Sequence, residues 1–182
     1  MKEVLQDIAV RRSYIWARPQ PSAADKIIGY GTFALSASIS ACLSLQRFDL
    51  VIGTSPPPSV SIPAVLMARL ARKPFVLDVR DLWPECAVQN RNIADGPLIR
   101  FTERLEAWMY QSAKLITVVT RGKRERLIER GIPADKIHVI SNGVDVSVLD
   151  EESSIPLPEE LEKIVAKNSF VFTYAGVFNS AQ

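Results

Sequence analysis

Apolar residues fall along this 182-residue chain in two kinds of run. FDLVIGTS (Phe48 to Ser55), PFVLDV (Pro74 to Val79), KLITVVT (Lys114 to Thr120) and KIHVIS (Lys136 to Ser141) are brief and rich in branched residues. Proline, glycine or charged residues bound them, which predicts buried strands. The segments between them carry helical spacing. SVSIPAVLMARLARK has Pro63 in its first turns and a basic end that suits the helix dipole. GPLIRFTERLEAWMYQSA sets Leu98, Phe101, Leu105, Trp108 and Met109 on one face of an amphipathic helix. RGKRERLIER is capped by Thr120 and stops at Gly131. Strands alternating with helices predict the α/β class: a Rossmann-like parallel sheet with helices on both faces.

The two ends are less regular. Val4 to Trp16 is a mixed segment with a strand expected around Val10 to Ile15, followed by the loop RPQPSAADK, where Ser22 is placed to cap a helix. That helix contains an uncharged run from Ile27 to Leu45, long enough to cross a bilayer. Two glycines, a threonine and four serines weaken the run, and Ser36, Ser40 and Ser44 recur on one face. The expectation is a buried or membrane-surface helix. Near the other end, Asn142 and Gly143 can both take positive φ and so allow a sharp turn or a hinge. A polar linker (Val148 to Pro158), a short helix (PEELEKIVAK) and a last strand (SFVFTYAG) are expected after it. This divides the chain into a lobe at 1–147, a linker and helix at 148–168, and the first strand of a second lobe at 169–182.

Composition narrows the function more than the fold. A net charge of +2 gives no basic excess for nucleic acid. Cys42 and Cys86 are isolated and His138 is the only histidine, so neither a metal site nor a disulfide framework is expected. No Gly-x-Ser-x-Gly, Walker loop, His-Glu-x-x-His or Gly-x-Gly-x-x-Gly is present, and no cofactor is implied.

In parallel sheets ligands bind beyond the carboxyl ends of the strands. That rule brings TSPPP, VRDLWPE, VVTRG and ISNGVD to one edge. Arg80 and Asp81 there could bind hydroxyls, anions or a proton in flight, and the indole of Trp83 could stack on a sugar ring. They could equally pair with neighbours, with Trp83 packing and Pro84 stiffening the turn. Pro56 to Pro58 restrict the backbone after Ser55, which suits a ligand loop or merely a stiff strand exit. Arg121, Lys123, Arg124, Arg126 and Arg130 could face phosphates or an anionic membrane, although a solvated helix face salted with Glu125 and Glu129 is the simpler reading.

Taken together, DLVIGTSPPPSVSIPAVLMARLARKPFVLDVRDLWPE, TERLEAWMYQSAKLITVVT, RERLIERGIPADKIHVISNGVD and FTYAG resemble family 4 glycosyltransferases of the GT-B fold, from about Ile27 to Gln182. The bacterial type that builds capsules, O-antigens and exopolysaccharides is the most similar. The resemblance implies two Rossmann-like lobes. The N-terminal lobe would hold a glycan or polyprenyl-diphosphate-linked acceptor, and the C-terminal lobe a nucleotide-sugar donor. The sugar would be transferred with retained configuration and without a metal, at or near the inner face of the membrane. Arg80 stands where many relatives carry a histidine, so no catalytic histidine carries over. Asp81 and Arg80 become the catalytic candidates. Ser55, Trp83 and Glu85 are the acceptor-binding candidates, and Asn142 and Gly176 the donor-side ones. The Gly-rich opening loop and most of the donor lobe have no counterpart, so this polypeptide is expected to be inactive alone. A standalone acceptor-binding subunit and a sugar-nucleotide epimerase of the same fold are the alternatives.

Overall fold

The computed structural model describes residues 2–43, 48–83, 85, 96–146, 156, 158–167, 170–172 and 174. They belong to two compact units, Met1–Ser141 and Asn142–Gln182.

The first unit opens with a hairpin. Strand β1 (Lys2–Leu5) pairs antiparallel with β2 (Ile8–Arg11), Leu5 opposite Ile8. Gln6 and Asp7 both take positive φ (47° and 65°), the conformation of a two-residue hairpin turn that follows strand twist. The strand expected at Val10–Ile15 therefore ends at Arg11, and Arg12 to Trp16 form no strand. No glycine flags that turn, and the partner of the segment after it is a helix.

That helix, α1 (Ala23–Cys42), begins where Ser22 predicts. The Ser22 hydroxyl accepts the Asp25 N–H at 3.1 Å, and the Asp25 carboxylate accepts the Ser22 N–H at 3.1 Å, a reciprocal cap. One polar face of α1 then carries the incoming chain as a strap. Arg11 donates to the Ser40 carbonyl (2.9 Å), the Ser36 hydroxyl donates to the Tyr14 carbonyl (2.6 Å), and the Trp16 N–H donates to the Thr32 hydroxyl (3.0 Å). Residues 32, 36 and 40 are spaced four apart, so the strap runs against the helix direction. Gly29 permits the approach: a Cβ there would lie 2.7 Å from the Trp16 carbonyl oxygen. No helix among the described residues is long and apolar enough to cross a membrane.

Four strands follow, all parallel and in chain order: β3 (Val51–Ser55), β4 (Phe75–Val79), β5 (Leu115–Val118) and β6 (Ile137–Val139). Helix α2 (Ile62–Ala71), entered through a 3-10 turn at Pro58–Ser61, joins β3 to β4. Helix α3 (Pro97–Ser112) precedes β5, and α4 (Arg121–Glu129) lies between β5 and β6. At the first crossover the packing is close. Ser61 donates to the Thr54 carbonyl at 2.6 Å, and a Cβ on Gly53 would come within 3.0 Å of both Ala64 and Phe75.

The α/β class and the parallel order are as the sequence predicts, and among the described residues the helices packed on β3 to β6 cover one face of the sheet. In register, the rows Gly53–Leu77–Ile116–Ile137 and Ser55–Val79–Val118–Val139 are buried or nearly so. They join Val65, Ala68, Met109, Tyr110 and Leu127 from the three helices in one core. The alternate rows, Ile52–Val76–Leu115 and Thr54–Asp78–Thr117–His138, are half-buried or exposed, Ile52 by 65%. The cause is topological. Right-handed crossovers between strands laid down in one direction all fall on the same side, and helices reach the other face only where strand order reverses.

Helix α3 is also turned relative to the expected stripe. Phe101 is 61% exposed, while Ile99, Glu106, Met109, Tyr110 and Ala113 face inward. A glutamate thus occupies a core position. In the second unit, helix α5 (Glu159–Lys167) forms as expected. Phe170, Val171, Phe172 and Tyr174 form no strand, and Phe170 meets Phe172 edge-to-face at 4.8 Å. Among the described residues of that unit no strand offers a ladder to pair with. Most of the expected linker, and Gly176, lie outside the described residues.

Candidate functional site

Because β3 to β6 are parallel and in register, their carboxyl ends share one edge. Ser55, Val79 and Val118 align there with Val139. Two ladder bonds continue past the strand ends, from the Arg80 N–H to the Ser55 carbonyl and from the Ile140 N–H to the Val118 carbonyl, each 2.9 Å. The rim inferred from sequence therefore exists across the first unit. Asn142 opens the second unit.

The candidates on this rim separate by burial. Arg80 and Asp81 remain open, their side chains 59% and 55% exposed. Ser55 is only 2% exposed, because its side chain falls on the helix-covered face of the sheet. Trp83 is half-buried, and its indole nitrogen is enclosed without a hydrogen-bond partner among the described residues. Glu85 is drawn away from the rim. Its carboxylate accepts from Arg126 Nη2 (2.9 Å) and Nε (3.2 Å) and pairs with Arg130 at 2.7 Å. The Arg126 hydrogen bonds, with Arg130 behind them, hold the Glu85 carboxyl below the usual range against the opposing effect of burial.

Glu106, which the sequence does not single out, contributes as well, as do Lys123 and Arg130, which it offers only as part of a basic helix face. Lys123, one turn into α4, donates to Asp81 Oδ1 at 3.0 Å and to the Arg80 carbonyl. Glu106, 4% exposed, accepts from the Tyr110 hydroxyl (2.7 Å), from Arg130 (3.1 Å) and from the Trp83 backbone N–H. Burial pushes its carboxyl up to about 7, outweighing those bonds, and Arg130 divides its charge between Glu106 and Glu85. The signal was available: a glutamate sits inside an otherwise apolar face of α3, and cations lie at positions 123, 126 and 130, one face of α4. On the open side of the sheet, Asp78 accepts from Thr117 (2.8 Å) and Thr54 (3.3 Å), with Arg80 4.0 Å away.

A cleft of about 520 Å³ lies between α3 and the segment after α4, lined by Glu106, Tyr110, Arg130, Pro133 and Lys136 among others. Pro133 and Lys136 lead into the start of β6, and Glu85, at the far end of the stretch that begins with Arg80 and Asp81, also lines the cleft. No group of three or more His, Cys, Asp or Glu residues suited to a metal occurs among the described residues.

This geometry is a parallel lobe with an exposed guanidinium, a carboxylate and an adjoining indole beyond one strand. It can hydrogen-bond hydroxyls and bind an anion. The family model of the glycosyl transferase 4-like domain matches residues 3–143, most of the chain and nearly all of the first unit. The chain belongs to that family. As a glycosyltransferase-family domain it is a transferase, and its substrates are a sugar donor and an acceptor. No curated protein matches it.

Proposed function

We propose that this glycosyltransferase domain binds its acceptor at the β4 rim, and that the enzyme transfers a sugar from a nucleotide-sugar to a glycan or polyprenyl-diphosphate-linked acceptor with retained configuration. Cell-surface polysaccharide synthesis is the setting this reading favours. The observation that carries it is the pair Arg80 and Asp81, open to solvent beyond β4 in a chain matched by the glycosyltransferase family model. Asp81 accepts from an acceptor hydroxyl, Arg80 meets the acceptor's phosphate or carboxylate, and Trp83 borders the sugar. Asn142 and Gly176 are assigned to the donor side. Ser55 and Glu85 serve the site from beneath, through the backbone bond to Arg80 and through α4.

Membrane contact belongs to the same reading. Ile28, Leu35, Ile39 and Leu43 are exposed along α1, as are Val4, Leu5 and Ile8 on the hairpin. Apolar side chains spread along a helix suit insertion into the headgroup region of the inner membrane surface.

The test, run with a donor lobe present because the chain alone is expected to lack transfer, is acceptor-dependent release of nucleoside diphosphate from a panel of nucleotide-sugars, with the product anomer read by NMR. Asp81→Asn should lower kcat/KM about 10- to 100-fold, the weight of one charged hydrogen bond, at an unchanged melting temperature. Full turnover in Asp81→Asn would remove the rim assignment. Inversion of the donor sugar without transfer would favour an epimerase instead.

A further inference from the structure

The Arg80–Glu85 stretch carries the rim, yet sequence alone gives it no reason to hold one shape beyond the reach of β4. The structure supplies that reason from another element. Lys123, Arg126 and Arg130 follow one another at intervals of three and four, so they share a face of α4 and its C-cap. Each reaches back some forty residues in sequence. Lys123 takes the Arg80 carbonyl and Asp81 Oδ1. Arg126 takes both oxygens of Glu85, and Arg130 takes Glu85 together with the buried Glu106. Glu106 in turn accepts the Trp83 N–H. The stretch is thus anchored at its first, middle and last described residues by side chains of α3 and α4.

We propose that Lys123 is a positioning residue for Asp81, the upper rung of a three-cation ladder on α4 that fixes the rim between Arg80 and Glu85. Two observations separate it from an ordinary surface ion pair, which contributes little by itself. Its ammonium is shared between a side chain and a main-chain carbonyl, so it fixes backbone as well as charge. Its helix turn is itself fixed, because Thr120 caps α4 by accepting the Lys123 N–H at 3.3 Å. Lys123 leaves Asp81 half open while orienting it, which is what a group meant for a substrate hydroxyl requires. The role in transfer rests on the glycosyltransferase reading above; the anchoring does not.

Amide hydrogen exchange on the full chain, without substrate, tests the anchoring directly. Lys123→Met should speed exchange at Leu82 and Trp83 about tenfold while exchange in β3 to β6 and the melting temperature stay as in wild type. Lys123→Arg, which keeps a cation of similar reach, should restore most of the protection. Arg126→Met should act at Glu85 and spare Leu82, whereas Arg121→Met, the same loss of charge one position past the cap, should change neither. Wild-type exchange at Leu82 and Trp83 in Lys123→Met overturns the proposal, as does faster exchange spread evenly over the sheet. In a transfer assay, loss of acceptor affinity in Lys123→Met with rescue by Lys123→Arg extends the anchoring to function. Absence of transfer in wild type assayed together with a donor lobe would count against the enzyme reading and leave the exchange result standing.

Discussion

At the scale of single residues, two carboxylates sharing one guanidinium answer pH in opposite senses. Glu106 holds a proton in the folded chain up to about pH 7 but loses it near 4.5 when unfolded. Between those values the folded state binds more protons, so stability falls as pH rises through the window, by on the order of 1–3 kcal/mol over its width. Glu85, with its folded value lowered, contributes above its unfolded value and loses that contribution as pH falls further. Thermal melts should therefore peak in mildly acidic buffer, and Glu106→Gln should flatten the decline between pH 5 and 7. A curve unchanged by that substitution would place the proton elsewhere. Gly29 makes a second case. With the Trp16 carbonyl 2.7 Å from where a Cβ would sit, Gly29→Ala should loosen the strap at a cost of about 1–3 kcal/mol. Limited proteolysis would show it as faster cutting between Arg12 and Trp16. The caps at Ser22 and Thr120 were legible because a hydroxyl before a helix bonds locally. For Glu106, Lys123 and Arg130 only the pattern was legible, a glutamate in an apolar face and cations on one face of α4; the groups they hold were not, since those partners are distant in sequence.

At the scale of elements, period alone placed the four sheet strands and the helices between them, but not which way each helix turns. Helix α3 offers two overlapping apolar stripes, and the one holding Phe101 is the more hydrophobic by letter. The fold selects the other because Tyr110 and Arg130 satisfy Glu106, making its burial tolerable. The consequence is measurable. Met109→Ala should cost about 2–5 kcal/mol, while Phe101→Ser should stay within about 0.5 kcal/mol of wild type, both by chemical denaturation. The hairpin was missed for a related reason. Its turn uses Gln6 and Asp7 in a conformation that glycine or asparagine normally announces. Of the last predicted strand only Phe170, Val171, Phe172 and Tyr174 are among the described residues, and those four are not in a strand.

At the scale of the molecule, α1 and the hairpin present the largest set of exposed apolar side chains on the first unit. Vesicles rich in phosphatidylglycerol should pull the chain down on sedimentation at low salt, and Leu35→Glu combined with Ile39→Glu should leave it in the supernatant. Equal recovery of both in the supernatant would sink the membrane reading. The parallel order of the sheet was legible from strands alternating with helices, whereas one-sided coverage was not. Coverage depends on whether strand order reverses, which no local pattern records.

That one-sidedness gives Asp78 a task. It stands on the more exposed face of the sheet, tied to Thr54 and Thr117 across three strands, two residues along from the row of Ile52, Val76 and Leu115. A negative charge at that spot keeps the greasy neighbours wet and repels an identical face brought against it. Exchanged for valine, the same surface would become sticky, and light scattering should show clumping at concentrations where the native chain stays dispersed.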